Sequence, residues 1–119
     1  MDGTTPAKPI APELRAEIGD LYTEYADILD SGEYERWPEL FTERCFYAVM
    51  PRENHDRGLP LATVRCESRG MLKDRVHAIR ETQMFVQRWV RHLIAAPRLL
   101  ASSDGIVTTR ANYAVFETQ

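Results

Sequence analysis

The chain has two cysteines, Cys45 and Cys66, and they lie far apart in its 119 residues. Two cysteines so placed make no disulfide framework, and neither has the close second cysteine that a zinc ribbon needs. Both sit in apolar, strand-like runs and read as small buried hydrophobes. No apolar run approaches the ~20 residues that span a bilayer. The opening MDGTTPAKPIAP lacks a basic region followed by an apolar stretch, so it does not read as a secretory signal. These absences predict a cytoplasmic protein with no membrane contact. A Gly-rich phosphate loop, a nucleophile elbow, HExxH and CxxC are all missing as well. The histidines His55, His77 and His92 are scattered without ligand spacing, which predicts no metal site.

A basic surplus is also missing: Lys and Arg number 15 against 18 Asp and Glu. The net charge is −3 and the pI about 5.6, far from the footprint of a nucleic-acid-binding domain. The charge is unevenly placed. Residues 13–43 carry ten acidic side chains against Arg15 and Arg36, whereas residues 65–98 carry eight basic ones against Glu67, Asp74 and Glu81. Such a split fits two solvated faces, or charge complementarity between subunits.

What is present suits one soluble α+β domain. The hydrophobic share of 44% and the charged share of 28% are ordinary for a globular protein, and the length allows a single core. Residues 1–10 read as a flexible leader, and residues 11–119 as the domain. Leu14, Ile18, Leu21, Tyr22, Tyr25, Ile28 and Leu29 recur at helical spacing, predicting a helix over Pro12–Ser31 that stops at Gly32. Asp30 and Glu33 have the spacing of a capping box opening a short helix, Glu33–Phe41, interrupted by Pro38. Cys45–Met50 reads as a strand, Arg52–Pro60 as a polar loop, and Leu61–Cys66 as a short strand or the approach to the next helix. Ser68 is placed to cap a helix over Arg69–Gln83. Val86–Leu100 and Ile106–Glu117 then read as two long strands joined at Asp104-Gly105, a hairpin signal. Helices first and a hairpin afterwards predict helices on one face of a curved antiparallel sheet.

Four positions could carry chemistry. Asp27 and Asp30 fall opposite the Leu21/Tyr25 stripe, on the solvent side of the first helix, away from any interior cavity. His92 shares a strand face with Val90 and Ile94 and so points inward, where a lone histidine is usually a hydrogen-bonded structural residue. Arg75 lies four residues from both Met71 and Ile79, within an apolar stripe. There its guanidinium needs an ion-pair partner, within or between subunits, or must snorkel to water.

From Trp37-Pro38-Glu39-Leu40-Phe41 onward the sequence resembles a known family. Leu21-Tyr22 through Leu29-Asp30, the WPELF segment and the run ending Met50-Pro51-Arg52 are similar to the opening of the small (β) subunits of Rieske-type aromatic-ring-hydroxylating dioxygenases. Pro51-Arg52-Glu53-Asn54, Gly58-Leu59-Pro60-Leu61, Glu67-Ser68, Met71 with Asp74-Arg75-Val76, Arg91-His92, Pro97-Arg98 and Asn112-Tyr113-Ala114-Val115 resemble its salicylate 5-hydroxylase and terephthalate dioxygenase branch. The resemblance covers residues 14–119. It implies a nuclear-transport-factor-2-like (cystatin-like) cone with a bent sheet wrapped over helices. It also implies a large α subunit holding a Rieske [2Fe–2S] cluster and a mononuclear Fe(II), assembled as α3β3, with no catalytic, cofactor or metal residue on this chain. A Rieske centre needs two Cys and two His in close pairs, and neither Cys45 nor Cys66 has a nearby His. On this reading the chain is a structural subunit of an enzyme acting on a salicylate- or phthalate-like acid. Arg75, Arg88, Arg91, His92 and Arg110 are then candidate subunit contacts. Family members carry further strands beyond the one ending near Thr118, so the sheet is expected to lack its last strands. The competing expectation is a stand-alone isomerase, dehydratase or ligand-binding domain of the same fold, with His92 and Tyr22 or Tyr113 as its polar pair.

Overall fold

The computed structural model describes residues 11–58, 64–83 and 88–118, apart from the side chains of residues 54 and 55. The predicted leader lies outside the described residues. The chain forms two compact units, one made of its first helix and its last strands, the other of residues 32–88.

The first unit starts with α1, Pro12–Asp30. Pro12 takes the first turn, where its missing N–H is no loss. The helix ends where expected: Ser31 N–H returns to the Asp27 carbonyl at 2.9 Å, and Gly32 follows at φ +73°. Only part of the predicted stripe is covered. Ile28 is 1% exposed, whereas Leu14 and Leu21 are 38% and 52% exposed.

The two predicted long strands are the arms of one bent hairpin. The first arm is β3 (Trp89–Ile94) and β4 (Arg98–Ser103); the second is β5 (Ile106–Arg110) and β6 (Tyr113–Thr118). Residues 86 and 87 of the predicted first strand lie outside the described residues. Both arms break where one continuous strand was expected, at 95–97 and at Ala111-Asn112. Pro97, without an N–H, cannot extend the ladder. The turn is as predicted: Asp104 (φ +52°) and Gly105 (φ +76°) join Ser103 to its partner Ile106, the two positive φ angles that a tight hairpin requires.

The pairing explains the bend. β3 and β6 pair from Trp89↔Thr118 to Ile94↔Tyr113, and Ala95 N–H reaches the Asn112 carbonyl at 2.9 Å. From Ile94 to Arg98 the first arm advances four residues while the second, from Tyr113 to Arg110, advances three. A second slip, between Leu99 and Ala101, adds another residue to the same arm. Two extra residues on one arm are two bulges, and each bends the strand and increases its twist. The inner face so formed carries Val90, His92 and Ile94 and packs on α1.

The second unit contains a 3-10 helix (Tyr34–Leu40), β1 (Tyr47–Val49), α2 (Arg52–Asp56), β2 (Val64–Cys66) and α3 (Arg69–Gln83). The predicted helix Glu33–Phe41 is 3-10 rather than α, and no capping box forms: Glu33 caps it without a side-chain bond. Pro38 sits inside it, where it cannot donate to an α ladder. The predicted loop 52–60 instead opens with α2. Its ends are tied by Arg52–Asp56 (3.4 Å) and Arg57–Glu53 (3.0 Å), i,i+4 pairs of the kind that favour a helical turn. Ser68 caps α3 as predicted, its Oγ accepting Met71 N–H at 3.1 Å.

Two arginines fasten α3 antiparallel to the 3-10 helix. At its start, Arg69 donates from two guanidinium nitrogens to the Phe41 carbonyl and pairs with Glu43 at 3.2 Å. At its end, Arg80 grips both Glu35 oxygens (2.7 and 2.6 Å), donates to Gly32 O at 2.7 Å and lies over the Tyr34 ring. This fork holds the Glu35 carboxyl down at about 2 from its usual 4.5. A depressed carboxyl stabilises the fold fully above its unfolded value, and that stability is lost as pH falls through the folded one. Glu35→Gln is therefore expected to reduce the fall in melting temperature between about pH 4.5 and 2, with wild type retaining its advantage above that window.

The core of the second unit is small. Among the described residues its buried members are Leu72 (0% exposed), Val76 (6%), Trp37 (4%), Cys66 (4%) and Pro38. Trp37, Phe41 and Tyr47 stack edge-to-face, with centroids 5.1 to 5.9 Å apart. Each such pair is worth about 0.5–1.5 kcal/mol beyond burial, which offsets the buried Trp37 Nε1–H, a donor without an acceptor. Cys66 is a buried hydrophobe as predicted, and burial pushes its thiol up, away from the thiolate that metal ligation or nucleophilic attack requires. Cys45 is only half-buried and precedes β1.

Candidate functional site

The strongest polar arrangement lies in the first unit, where the last residue of α1 meets the middle of β3. Asp30 and His92 are 62 positions apart, so no local pattern links them. The Asp30 carboxylate accepts His92 backbone N–H at 2.9 Å from each oxygen, and His92 Nδ1 lies 2.7 Å from Oδ1. Since the carboxylate only accepts, Nδ1 carries the proton and Nε2 is left as the ring's second site. The side chains are 6% and 14% exposed. Tyr25 meets the imidazole edge-on, centroids 6.2 Å apart. A second polar contact joins helix and hairpin: Tyr22 Oη and Thr109 Oγ1 lie 2.6 Å apart.

Beside the pair runs a groove of about 1030 Å³. Gly19, Thr23, Ala26 and Asp30 line it from α1, and His92, Ile94, Pro97 and Tyr113 from the strands. A Cβ built on Gly19 would touch nothing within 4 Å, so the helix side is open there.

This geometry corrects three expectations. Asp30 does not lie on the solvent side of α1; the bent hairpin reaches past the apolar stripe and covers it, while Asp27 stays exposed. Asp30 does not open a capping box: its carboxylate is bonded to His92, and the 3-10 helix begins at Glu33 without a side-chain bond. His92 points inward as expected, but its partners are Asp30 and Tyr25. Tyr22 is engaged by Thr109, and Tyr113 is 68% exposed.

The candidate contact residues are dispersed. Arg75 is exposed and makes no ion pair among the described residues, so the predicted intramolecular pair is absent. Its neighbours Leu72 and Val76 form the buried side of α3, and Arg75 falls between them and the solvent side. Arg75→Met is accordingly expected to match Lys73→Met within about 0.5 kcal/mol in urea titrations of the chain alone. Arg88, Arg91 and Arg110 are exposed too. His77, on the outer side of α3 as predicted, pairs with Glu81 at 3.1 Å. The side chain of His55 lies outside the described residues.

No group of three or more His, Cys, Asp or Glu side chains could hold a metal ion among the described residues. Asp30 and His92 offer at most two donors, and those face each other. The described residues therefore do not fit an iron or iron–sulfur centre. No helix of the described residues is long and apolar enough to cross a membrane.

Comparison with known proteins decides the family. No family model matches the chain. It is 40% identical over 103 residues to the small subunit of anthranilate 1,2-dioxygenase from Burkholderia cepacia, covering 87% of this chain and 64% of that protein. Against subunit beta 2 of the terephthalate 1,2-dioxygenase terminal oxygenase component from a Comamonas species it is 36% identical, over 70% of this chain and 54% of that one. Among solved structures, a protein from Novosphingobium aromaticivorans described as the beta subunit of an aromatic-ring-hydroxylating dioxygenase superposes with a TM-score of 0.84. That match has 38% identity and covers 93% of this chain and 70% of the other. The chain belongs to the β subunits of aromatic-ring-hydroxylating dioxygenases. Its fold is the nuclear-transport-factor-2-like α+β fold expected from the sequence. The chain spans less than two thirds of the curated relatives it matches.

Proposed function

We propose that this chain is the non-catalytic small subunit of a terminal oxygenase acting on an aromatic acid. Its partner would be a large α subunit that carries the Rieske [2Fe–2S] cluster and the mononuclear Fe(II), with an α3β3 assembly as the expected stoichiometry. The observation that carries the reading is the 38–40% identity to small subunits across most of the chain. The named relatives belong to anthranilate and terephthalate dioxygenases. Both substrates are benzene rings bearing a carboxylate, the chemical class of the salicylate- or phthalate-like acid suggested by the sequence.

The Asp30–His92 pair supports a structural role. Catalysis by such a pair requires a carboxylate that orients the imidazole for a proton transfer to substrate. Here the same carboxylate also accepts the strand's own backbone N–H, which makes it a fastener between α1 and β3. The stand-alone enzyme reading retains one favourable observation, the groove beside His92. Elemental analysis and an assay of the purified chain with benzoate-type acids, NADH and a reductase separate the two. The expected result is no stoichiometric iron and no turnover. Turnover lost in His92→Gln would overturn the small-subunit reading.

A further inference from the structure

Methionine is a flexible apolar side chain whose thioether sulfur accepts hydrogen bonds only weakly. Met71 is nonetheless placed as an acceptor. It stands third in α3 and is 41% exposed, while its neighbour Leu72 and then Val76 fill the core. Ser68 Oγ accepts its backbone N–H at 3.1 Å, and its sulfur accepts the Glu67 backbone N–H at 3.3 Å. Two such bonds, one from the cap residue and one returned by the third helical residue, have the form of a capping box. In that box the third side chain is Glu or Gln, and an oxygen accepts the returning bond. Here a sulfur takes the place of the oxygen and the donor lies one residue earlier, at Glu67.

Exposure gives this sulfur a chemistry that an enclosed methionine lacks. A hydroperoxide oxidises a thioether by two electrons. A sulfur lone pair attacks the outer peroxide oxygen, so an S–O bond forms as the O–O bond breaks. The proton on the attacked oxygen passes to the departing one, which leaves as water or an alcohol. The oxygen gained carries partial negative charge and accepts hydrogen bonds more strongly than sulfur. Inside a core such a polar group is disruptive. At the start of α3 the positive end of the helix dipole favours it, and a backbone donor is already in place.

We propose that Met71 is an oxidative modification site: a hydroperoxide converts its thioether to the sulfoxide, and the new oxygen takes over the Glu67 N–H and completes the cap of α3. The three rotatable bonds of the side chain let that oxygen replace the sulfur without moving the backbone. Oxidation at this residue strengthens the second unit instead of loosening it. The inference concerns that unit alone and does not rest on the small-subunit reading.

Hydrogen peroxide is the probe, with peptide mapping by mass spectrometry on the full chain. Met71 is expected to gain one oxygen at least about threefold faster than the half-buried Met50, because access limits the reaction. Peroxide is then expected to raise the melting temperature of wild type by roughly 2–4 °C relative to Met71→Leu treated in the same way, the shift that one strengthened hydrogen bond produces in a small domain. The Met71→Leu control removes the effects of oxidation elsewhere in the chain. Without peroxide, Met71→Gln is expected to melt above Met71→Leu, since its amide oxygen is an acceptor that no oxidant has to create. The proposal is overturned if Met71 is oxidised no faster than Met50, or if peroxide gives wild type no rise over Met71→Leu. A Met71→Gln chain that melts no higher than Met71→Leu overturns it as well.

Discussion

Asp30→Ala is expected to destabilise the chain by about 3–5 kcal/mol, the cost of removing one member of a buried, hydrogen-bonded pair. Its carboxylate has three contacts to His92 and is 6% exposed. With it gone, a backbone N–H and a ring N–H in β3 lose their acceptor together. An unmade buried hydrogen bond costs about 1–3 kcal/mol, so the two losses account for most of the total. Asp30→Asn retains one acceptor oxygen for the backbone N–H and should lose distinctly less. Urea denaturation of both variants gives the order. Equal and small losses would mean that water replaces the carboxylate and that α1 is held by its apolar residues alone.

Leu72→Ala is the second large effect, about 2–5 kcal/mol, because the side chain is completely enclosed and little nearby can collapse into the space. Few of the described side chains in the second unit are so deeply buried, and Leu72 lies on the face of α3 that packs against the 3-10 helix. Ile79→Ala, at a half-buried position of the same helix, should cost less. The comparison is a pair of chemical melts. A loss at Leu72 under about 1 kcal/mol would show that the unit rests on its two arginine clamps instead.

How much of this was legible in the sequence depended on whether the cause was local. The limits of α1, the Ser68 cap on α3 and the Asp104-Gly105 turn were all predicted, because each follows from residues within a few positions of one another. So did the inward face of His92, through the two-residue period of a strand. The fold class and family were legible through scattered matches such as WPELF and Arg91-His92. Its identity with the β subunits rests on comparison. The misses arise from long range. Asp30 read as a helix cap because Glu33 stands three residues on; nothing nearby announced a competing donor 62 positions later. The hairpin bulges were invisible because an extra residue on one arm shows only once the opposite arm is in place. Arg75 read as buried because the apolar stripe of α3 was drawn too wide: Met71 is 41% exposed, and only Leu72 and Val76 are enclosed. A local miss, α2, was signalled by two i,i+4 charge pairs inside a segment that looked merely polar.

The reading of this chain as a small oxygenase subunit predicts a physical partner. The most direct measurement is co-expression of a tagged copy with the large subunit of an aromatic-ring-hydroxylating dioxygenase, followed by size-exclusion chromatography with iron and sulfide determination on each peak. The predicted result is co-elution in one high-mass peak, with the iron and acid-labile sulfide present there and absent from the chain eluted alone. A chain that elutes by itself beside a fully assembled, iron-loaded large subunit would contradict the account.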